Sequence, residues 1–416
     1  MPSPSRTLTR ALAASLTEAT TRGDGRELIG IEREWPLRPV SYPADRADLH
    51  TLQRICDAPL PAAGRPTIEP GGQIELSTQP ATSVDRALDA LHLDTAELGG
   101  RLRRSGLTVH DVAVDVSRHP RRILTAGRYA AMEEYFAARG EAGTWMMCNT
   151  ASTQLNISHH PDRPADRWRL AHQLGPVLVA AFANSPGVDS DGTRWESLRQ
   201  AIWWSIAPTR TRPPCTVRPA ADAWLEYALT ADVMLVRGDG DTAHSQLPGF
   251  SFEQWMDYGH ETGWPTADDF TYHLTTLFPP IRARGWLELR MIDALPSALL
   301  EVATVVTATA LTVDAVMDSL LAGLPRTEHL WLDAARSGLA HPTLRQAATL
   351  LFAEVEGHLS ATTTVPERRA AVRRFADRFV AAGASPAQSV ASDALRTGFA
   401  PRLHPFDLPV QTLQSA

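Results

Sequence analysis

The stretch Thr67-Ile68-Glu69-Pro70-Gly71-Gly72-Gln73-Ile74-Glu75-Leu76-Ser77 reads as two short strands folded about a Pro-Gly-Gly turn. In a strand, side chains two positions apart share a face. Glu75 therefore lies on the face of Gln73, and Glu69 stands just across the turn. Upstream, Leu28 to Trp35 forms another strand, ended by Pro36, in which Glu32 and Glu34 project together while Ile31 and Arg33 face the other way. Downstream, Gln154 and Asn156 share one face of a strand over Thr153 to Ser158, and Glu288 and Arg290 share one face of another over Trp286 to Met291. A lone Glu-x-Glu is common on a solvated edge strand. Repeated in several short strands with apolar residues opposite, the pattern describes a polar floor with apolar backing, provided the strands are neighbours in one sheet.

Around these strands the chain is mostly helical. Residues 1–22 read as a helix followed by the turn Gly23-Asp24-Gly25. Helices are expected from Ser83 to Arg104, where Val84, Leu88, Leu91, Leu98 and Leu102 keep helical spacing, from Ala130 to Ala138, and from Arg167 to Asn184, stopped by Pro186. Leu107 to Val116 alternates like a strand, and the proline-rich stretch from Pro208 to Pro219 reads as a loop. After Pro296 the chain turns helical almost to its end, with a buried core helix from Leu299 to Leu321, a basic stretch from Glu367 to Arg378 and a Pro-rich tail. Strands and helices mixed to about residue 295, then helices alone, predict an α+β fold: one antiparallel sheet with helices packed on one side. The whole of 1–416 reads as a single domain, with a helical N-terminal extension (1–26), a motif-bearing α+β core (27–296) and a helical C-terminal part (297–416).

Composition narrows the function. A chain of 416 residues with a net charge of −7 argues against a general nucleic-acid or membrane-surface binder. The three cysteines, Cys56, Cys148 and Cys215, lie far apart without CxxC spacing, which excludes a disulfide framework and suits a reducing cytoplasm. No Gly-x-x-x-x-Gly-Lys-Ser/Thr loop, Gly-x-Ser-x-Gly elbow or His-Arg-Asp motif occurs, so nucleotide binding would have to come through a metal. Clustered carboxylates repel one another unless a cation neutralises them, and oxygen ligands with little His and no Cys select Mg²⁺ or Mn²⁺. Such a Mg²⁺ usually holds a nucleotide phosphate as well. Arg128, Arg199, Arg210, Arg212 and Arg290 sit near turns or strand ends, and their forks match carboxylate and phosphate. Of the histidines, the His159-His160 pair reads as loop, and His273 as lining the site or as a hydrogen-bonded core residue. Cys148 and the pair Trp203-Trp204 read as packing.

At these motifs the sequence resembles the second family of glutamate–cysteine ligases, and within it the actinobacterial branch that serves ergothioneine biosynthesis. The resemblance runs, in family order, through Gly30-Ile31-Glu32-Arg33-Glu34, Glu69-Pro70-Gly71-Gly72-Gln73-Ile74-Glu75, Arg128-Tyr129, Thr153-Gln154-Leu155-Asn156, Ser197-Leu198-Arg199-Gln200, Tyr272-His273-Leu274 and Leu287-Glu288-Leu289-Arg290. It implies a glutamine-synthetase-like fold, with a curved antiparallel sheet forming a funnel-shaped site. It implies that ATP phosphorylates the γ-carboxylate of glutamate and that the α-amine of cysteine displaces the phosphate. Glu32, Glu34, Glu69, Glu75 and Glu288 would hold Mg²⁺, with Gln154 and Asn156 on the metal and nucleotide side. Arg290 and Glu288 would be catalytic, Arg290 against the transferring phosphoryl group. Arg128, Arg199, Tyr272 and His273 would bind substrate. The partners implied are small molecules alone: ATP, glutamate, and cysteine or another amine. Ala207 stands where the family carries an acidic residue before Pro-x-Arg, which leaves the accepting amine open.

Overall fold

The structure, a computed structural model, describes residues 8–238, 240–389 and 399–403; the start of the expected first helix and most of the Pro-rich tail lie outside these residues. Six strands form the central sheet: β1 (Ile29–Trp35), β2 (Arg65–Ile68), β3 (Ile74–Ser77), β4 (Ser152–Ser158), β5 (Ile281–Ala283) and β6 (Trp286–Asp293). Their order is β5-β6-β4-β1-β3-β2, every neighbouring pair antiparallel. The helices that matter for the site are α1 (Arg10–Thr21), α2 (Val84–Arg104), α3 (Gly127–Ala137), α4 (Ala142–Asn149), α5 (Pro164–Ala181), α6 (Leu198–Ile206), α7 (Ala267–Thr275), α8 (Ser297–Thr312) and α9 (Asp314–Gly323).

The period-2 reading sets the sheet's two faces. Ile31 pairs with Leu155, and Leu155 with Leu289, while Trp35 pairs with Ile74; all are buried. Helices α2, α5 and α8 pack against the sheet, and one apolar cluster runs from Leu8 to Leu403. The other face carries Glu34 opposite Glu75, Glu32 opposite Gln154, and Glu288 opposite Asn156. Helix α2 starts where the sequence places it, because the Ser83 hydroxyl accepts from the Arg86 amide.

Four elements depart from the sequence reading. The strand expected over Leu107 to Val116 is broken: Leu107–Val109 pairs with Leu37–Pro39 outside the central sheet, and Val114 makes an isolated antiparallel bridge to Thr150. Within the expected loop after Pro208, Pro208–Thr211 is a helical turn, since proline's fixed φ suits the first helical position. The helix expected from Leu299 to Leu321 breaks at Val313, whose backbone is extended, so α8 and α9 meet at 86°. Helix α5 begins at Pro164 and ends at Ala181, ahead of the expected stop. Among the described residues no single helix is long and apolar enough to cross a membrane.

Candidate active site

The polar face of the sheet floors a cavity of about 400 Å³ into which Glu32, Glu34, Glu69, Glu75, Glu288 and Arg290 all project. Register sets the spacing of the acids, and amides hold them. Gln154 donates from Nε2 to Glu34 Oε1 at 2.9 Å and to Glu75 Oε2 at 3.4 Å, so one amide bridges two carboxylates. The other Glu34 oxygen accepts from the Ser152 amide at 2.7 Å, and Thr67 Oγ1 donates to Glu75 Oε1 at 3.0 Å. Asn156 Nδ2 donates to Glu32 Oε1 at 2.8 Å.

Glu69 reaches the floor from the Pro70-Gly71-Gly72 turn, one residue beyond β2. A Cβ on Gly71 would stand 2.2 Å from the Cys148 carbonyl oxygen, and Gly72 has φ +87°, so only glycines let the turn pass this close to α4. Arg46 ties the two together, donating to the carbonyls of Gly71 at 3.2 Å and Cys148 at 3.0 Å. Gln73 is spent on the turn itself, accepting from the Gly71 amide and donating to the Thr150 carbonyl.

Electrostatically the floor has two halves. Burial alone would raise Glu288, but Arg282 and Arg290 outweigh it and hold its carboxyl below the usual range. Arg282 grips both of its oxygens, at 2.5 and 3.0 Å, and Arg290 Nη1 lies 3.2 Å away while also donating to Gln154 Oε1 at 2.9 Å. In the other half, burial and then Glu34 push Glu69 up to about 7. Burial, then Glu69, Glu32 and Glu34, push Glu75 well above the ordinary value. Burial and then Glu288 raise Glu32, against the hydrogen bond from Asn156.

Among the described residues no three acidic, histidine or cysteine side chains are already closed into a cage for an ion. The donor set nevertheless fits a hard cation. Four crowded, dehydrated carboxylates need either protons or a metal, and oxygen ligands of this kind suit Mg²⁺. Glu288, which the resemblance sets among the metal ligands, has both oxygens taken by guanidiniums.

The expected substrate residues separate. Arg128 lies between this cavity and a second one of about 560 Å³, which Tyr272, Arg237, Asp268 and Asp269 also line. Its guanidinium packs over Tyr129 at 5.5 Å and Tyr272 at 5.7 Å and pairs with no carboxylate among the described residues. Arg199 does not reach either cavity. It is buried behind the floor, donating to the Arg290 carbonyl at 2.9 Å, with Asp293 3.9 Å away. His273 also turns away, its Nε2 on the Ala228 carbonyl at 2.9 Å and burial holding it well below the ordinary histidine value. Ala207 is buried too, its carbonyl accepting from the Arg210 amide. The sequence reading gives Arg282 and Arg284 no role, and it names Thr67 and Trp286 as strand residues without a part in the site. Arg282-x-Arg284 has the same period-2 spacing as the acids, and a turn at Gly285, φ +84°, sets Arg282 opposite Glu288.

An open antiparallel sheet bearing acids and arginines on one face and helices behind it has the glutamine-synthetase-like fold of ATP-dependent ligases. A model of the glutamate–cysteine ligase family 2 matches residues 28–398, and the chain belongs to that family. It is 38% identical over 379 residues to the glutamate–cysteine ligase EgtA of Mycolicibacterium smegmatis, covering 86% of this chain and 89% of that one. It is 33% identical over 386 residues to EgtA of Mycobacterium tuberculosis, covering 89% and 87%. The crystal structure of a glutamate–cysteine ligase from Francisella tularensis in complex with AMP shares the fold, with TM-score 0.53 and 14% identity over 88% of this chain and 84% of that one.

Proposed function

We propose that this chain is an ATP-dependent glutamate–cysteine ligase that supplies γ-glutamylcysteine as the first step of ergothioneine biosynthesis. A γ-carboxylate oxygen of glutamate attacks the γ-phosphorus of ATP and ADP leaves; the cysteine amine then attacks the acyl carbon, phosphate leaves and the amine loses a proton. The observation that carries this reading is the divided floor, with Glu288 locked to arginines on one side and four mutually repelling carboxylates on the other. Glu34, Glu69 and Glu75, with Glu32 beside them, would hold Mg²⁺ or Mn²⁺, which when bound supplies positive charge to phosphate oxygens. Burial lowers the charged form of Arg290, but Glu288, Glu32 and Glu34 more than compensate, so it stays a fixed cation where phosphoryl charge develops. Arg128, facing both cavities and paired with no carboxylate among the described residues, suits the α-carboxylate of a substrate. The whole chain then works as one catalytic domain. Its three free cysteines suit the cytoplasm.

The test is a product assay. Incubation with ATP, Mg²⁺, glutamate and cysteine should yield ADP and γ-glutamylcysteine in equal amounts by mass spectrometry. Glutamate-dependent ADP release without that product would point to another acceptor amine. Ala207, the departure that leaves the amine open, is walled off from both cavities.

A further inference from the structure

The apolar face of the sheet carries a charge in its midst. Arg33 follows Ile31 and precedes Trp35 on that face of β1, and it is 3% exposed. Its Nη1 donates to Ser297 Oγ at 2.8 Å and its Nη2 to the Leu295 carbonyl at 3.2 Å. It therefore ties β1 to the segment that leads from β6 into α8. The guanidinium packs over the Trp35 ring at 4.6 Å, and its carboxylate neighbour, Asp111, stands 3.4 Å away and is itself half exposed.

Arg33 lines a cavity of about 250 Å³ between β1 and α2, on the side of the sheet away from the acid floor. Trp35, Leu98 and Leu102 wall it, and the exposed Arg103 and Asp111 stand at its mouth. Two buried atoms of its lining, Arg33 Nε and Thr95 Oγ1, have no hydrogen-bond partner among the described residues. A buried donor left unmade is costly, so each is a place where a ligand oxygen gains more than it would from water. Arg33 and Arg103 outnumber Asp111 by one positive charge. Two donors, one excess positive charge and apolar walls fit a monocarboxylate on a short apolar skeleton; inorganic phosphate would leave the walls unused. Gly99 leaves room on the helix side: a Cβ there would meet Arg103 Nη1 alone, at 3.4 Å.

We infer that this cavity binds a small monocarboxylate with an apolar tail, held by Arg33 and Thr95, and that its occupancy is felt at Glu32 and Glu34. Arg33 stands between those two acids in β1, so a ligand that fixes its guanidinium also steadies the backbone that presents them. The binding claim is independent of the ligase reading, whereas the link to the acids rests on it. Coupling between two binding sites is reciprocal, so each ligand should tighten the other by the same factor.

Calorimetry on the full chain tests both parts, with isovalerate and leucine as probes and 3-methylbutanol as the control without a carboxylate. Isovalerate should bind at least about tenfold tighter than the alcohol, the range for a hydrogen bond to a charged group. Gly99→Leu fills the cavity from a helix position that favours leucine over glycine. It should abolish isovalerate binding and leave ligase turnover in the absence of isovalerate unchanged. Arg33→Met should weaken isovalerate by at least about tenfold and Thr95→Val by about three- to tenfold. Should Arg33→Met not fold, the other two variants carry the test. Mg²⁺-ADP should tighten isovalerate by about fivefold, and isovalerate should tighten Mg²⁺-ADP equally. Leucine binding tighter than isovalerate assigns the natural ligand to amino acids, with the ammonium on Asp111; weaker binding assigns it to free acids. Isovalerate no tighter than the alcohol, or undiminished in folded Gly99→Leu, overturns the site. Equal isovalerate affinity with and without Mg²⁺-ADP overturns the link to Glu32 and Glu34. A wild-type protein without ligase turnover would instead sink the ligase reading, and the variants would still decide the cavity.

Discussion

Two carboxylates on one floor should answer the same substitution in opposite ways. Glu75 is one of several buried acids that raise one another, so replacing it with a neutral amide removes repulsion. Glu75→Gln, measured by urea unfolding in the presence of a chelator, should be as stable as wild type or more so. Glutamate-dependent ADP release should nevertheless fall by about 10²-fold or more, the usual cost of removing one preorganised electrostatic contact to a phosphoryl transition state. Glu288 is buried against Arg282 and Arg290, so Glu288→Gln leaves guanidiniums unpaired. It should lose activity and about 3–5 kcal/mol of stability, the cost of breaking a buried ion pair. Equal unfolding midpoints for the two variants would show that the floor is not divided as the geometry has it.

What the sequence disclosed follows from which elements carry a local signal. Period-2 alternation depends only on neighbours in the chain, so Glu32, Glu34, Glu75, Gln154, Asn156, Glu288 and Arg290 were all legible before any fold. Arg199 and His273 were not, because nothing local distinguishes an arginine that grips a substrate from one that grips a carbonyl of its own chain. At Arg199 the tertiary register decides: β6 shifts register between Leu289 and Ile292, and Arg199 binds the backbone of Arg290 within that irregularity. Arg199→Met should therefore cost about 1–3 kcal/mol by leaving the Arg290 carbonyl without its donor, while Asp293 keeps its hydrogen bonds from Asn184, Ser185 and Ser197, and its effect on activity should arise through Arg290 and not through glutamate affinity. An unchanged unfolding midpoint with a raised KM for glutamate would return Arg199 to the substrate side. The Pro70-Gly71-Gly72 turn is the reverse case, legible as a turn but not as a close approach. Gly71→Ala should cost about 1–3 kcal/mol or more, since its neighbour is backbone that cannot swing aside, and should impair ATP turnover by displacing Glu69.

At the scale of the molecule, the floor sets how stability responds to pH and metal. Glu69 is raised from an ordinary 4.5 to about 7, so between those values the folded chain holds a proton that the unfolded chain has released. A carboxyl raised in the folded state contributes stability that is fully present below about 4.5 and is lost as pH rises through about 7. Glu75 and Glu32, raised for the same reason, act in the same direction. Without metal the protein should thus become less stable across that window as the cluster loses its protons and the buried charges face one another. A cation bound there would take the protons' place, and a ligand that binds only the folded state stabilises it in proportion to its affinity there. Because protons compete for the same oxygens, Mg²⁺ should raise the melting temperature by a few degrees at pH 8 and hardly at pH 5. Thermal unfolding at both values, with Mg²⁺ or with chelator, reads the difference directly, and other titrating groups cancel in the paired comparison. The pH-dependent part of that shift should shrink in Glu75→Gln, which has one fewer carboxylate to titrate. A Mg²⁺ effect of equal size at pH 5 and pH 8 would mean that the ion binds elsewhere and that protons alone settle the floor.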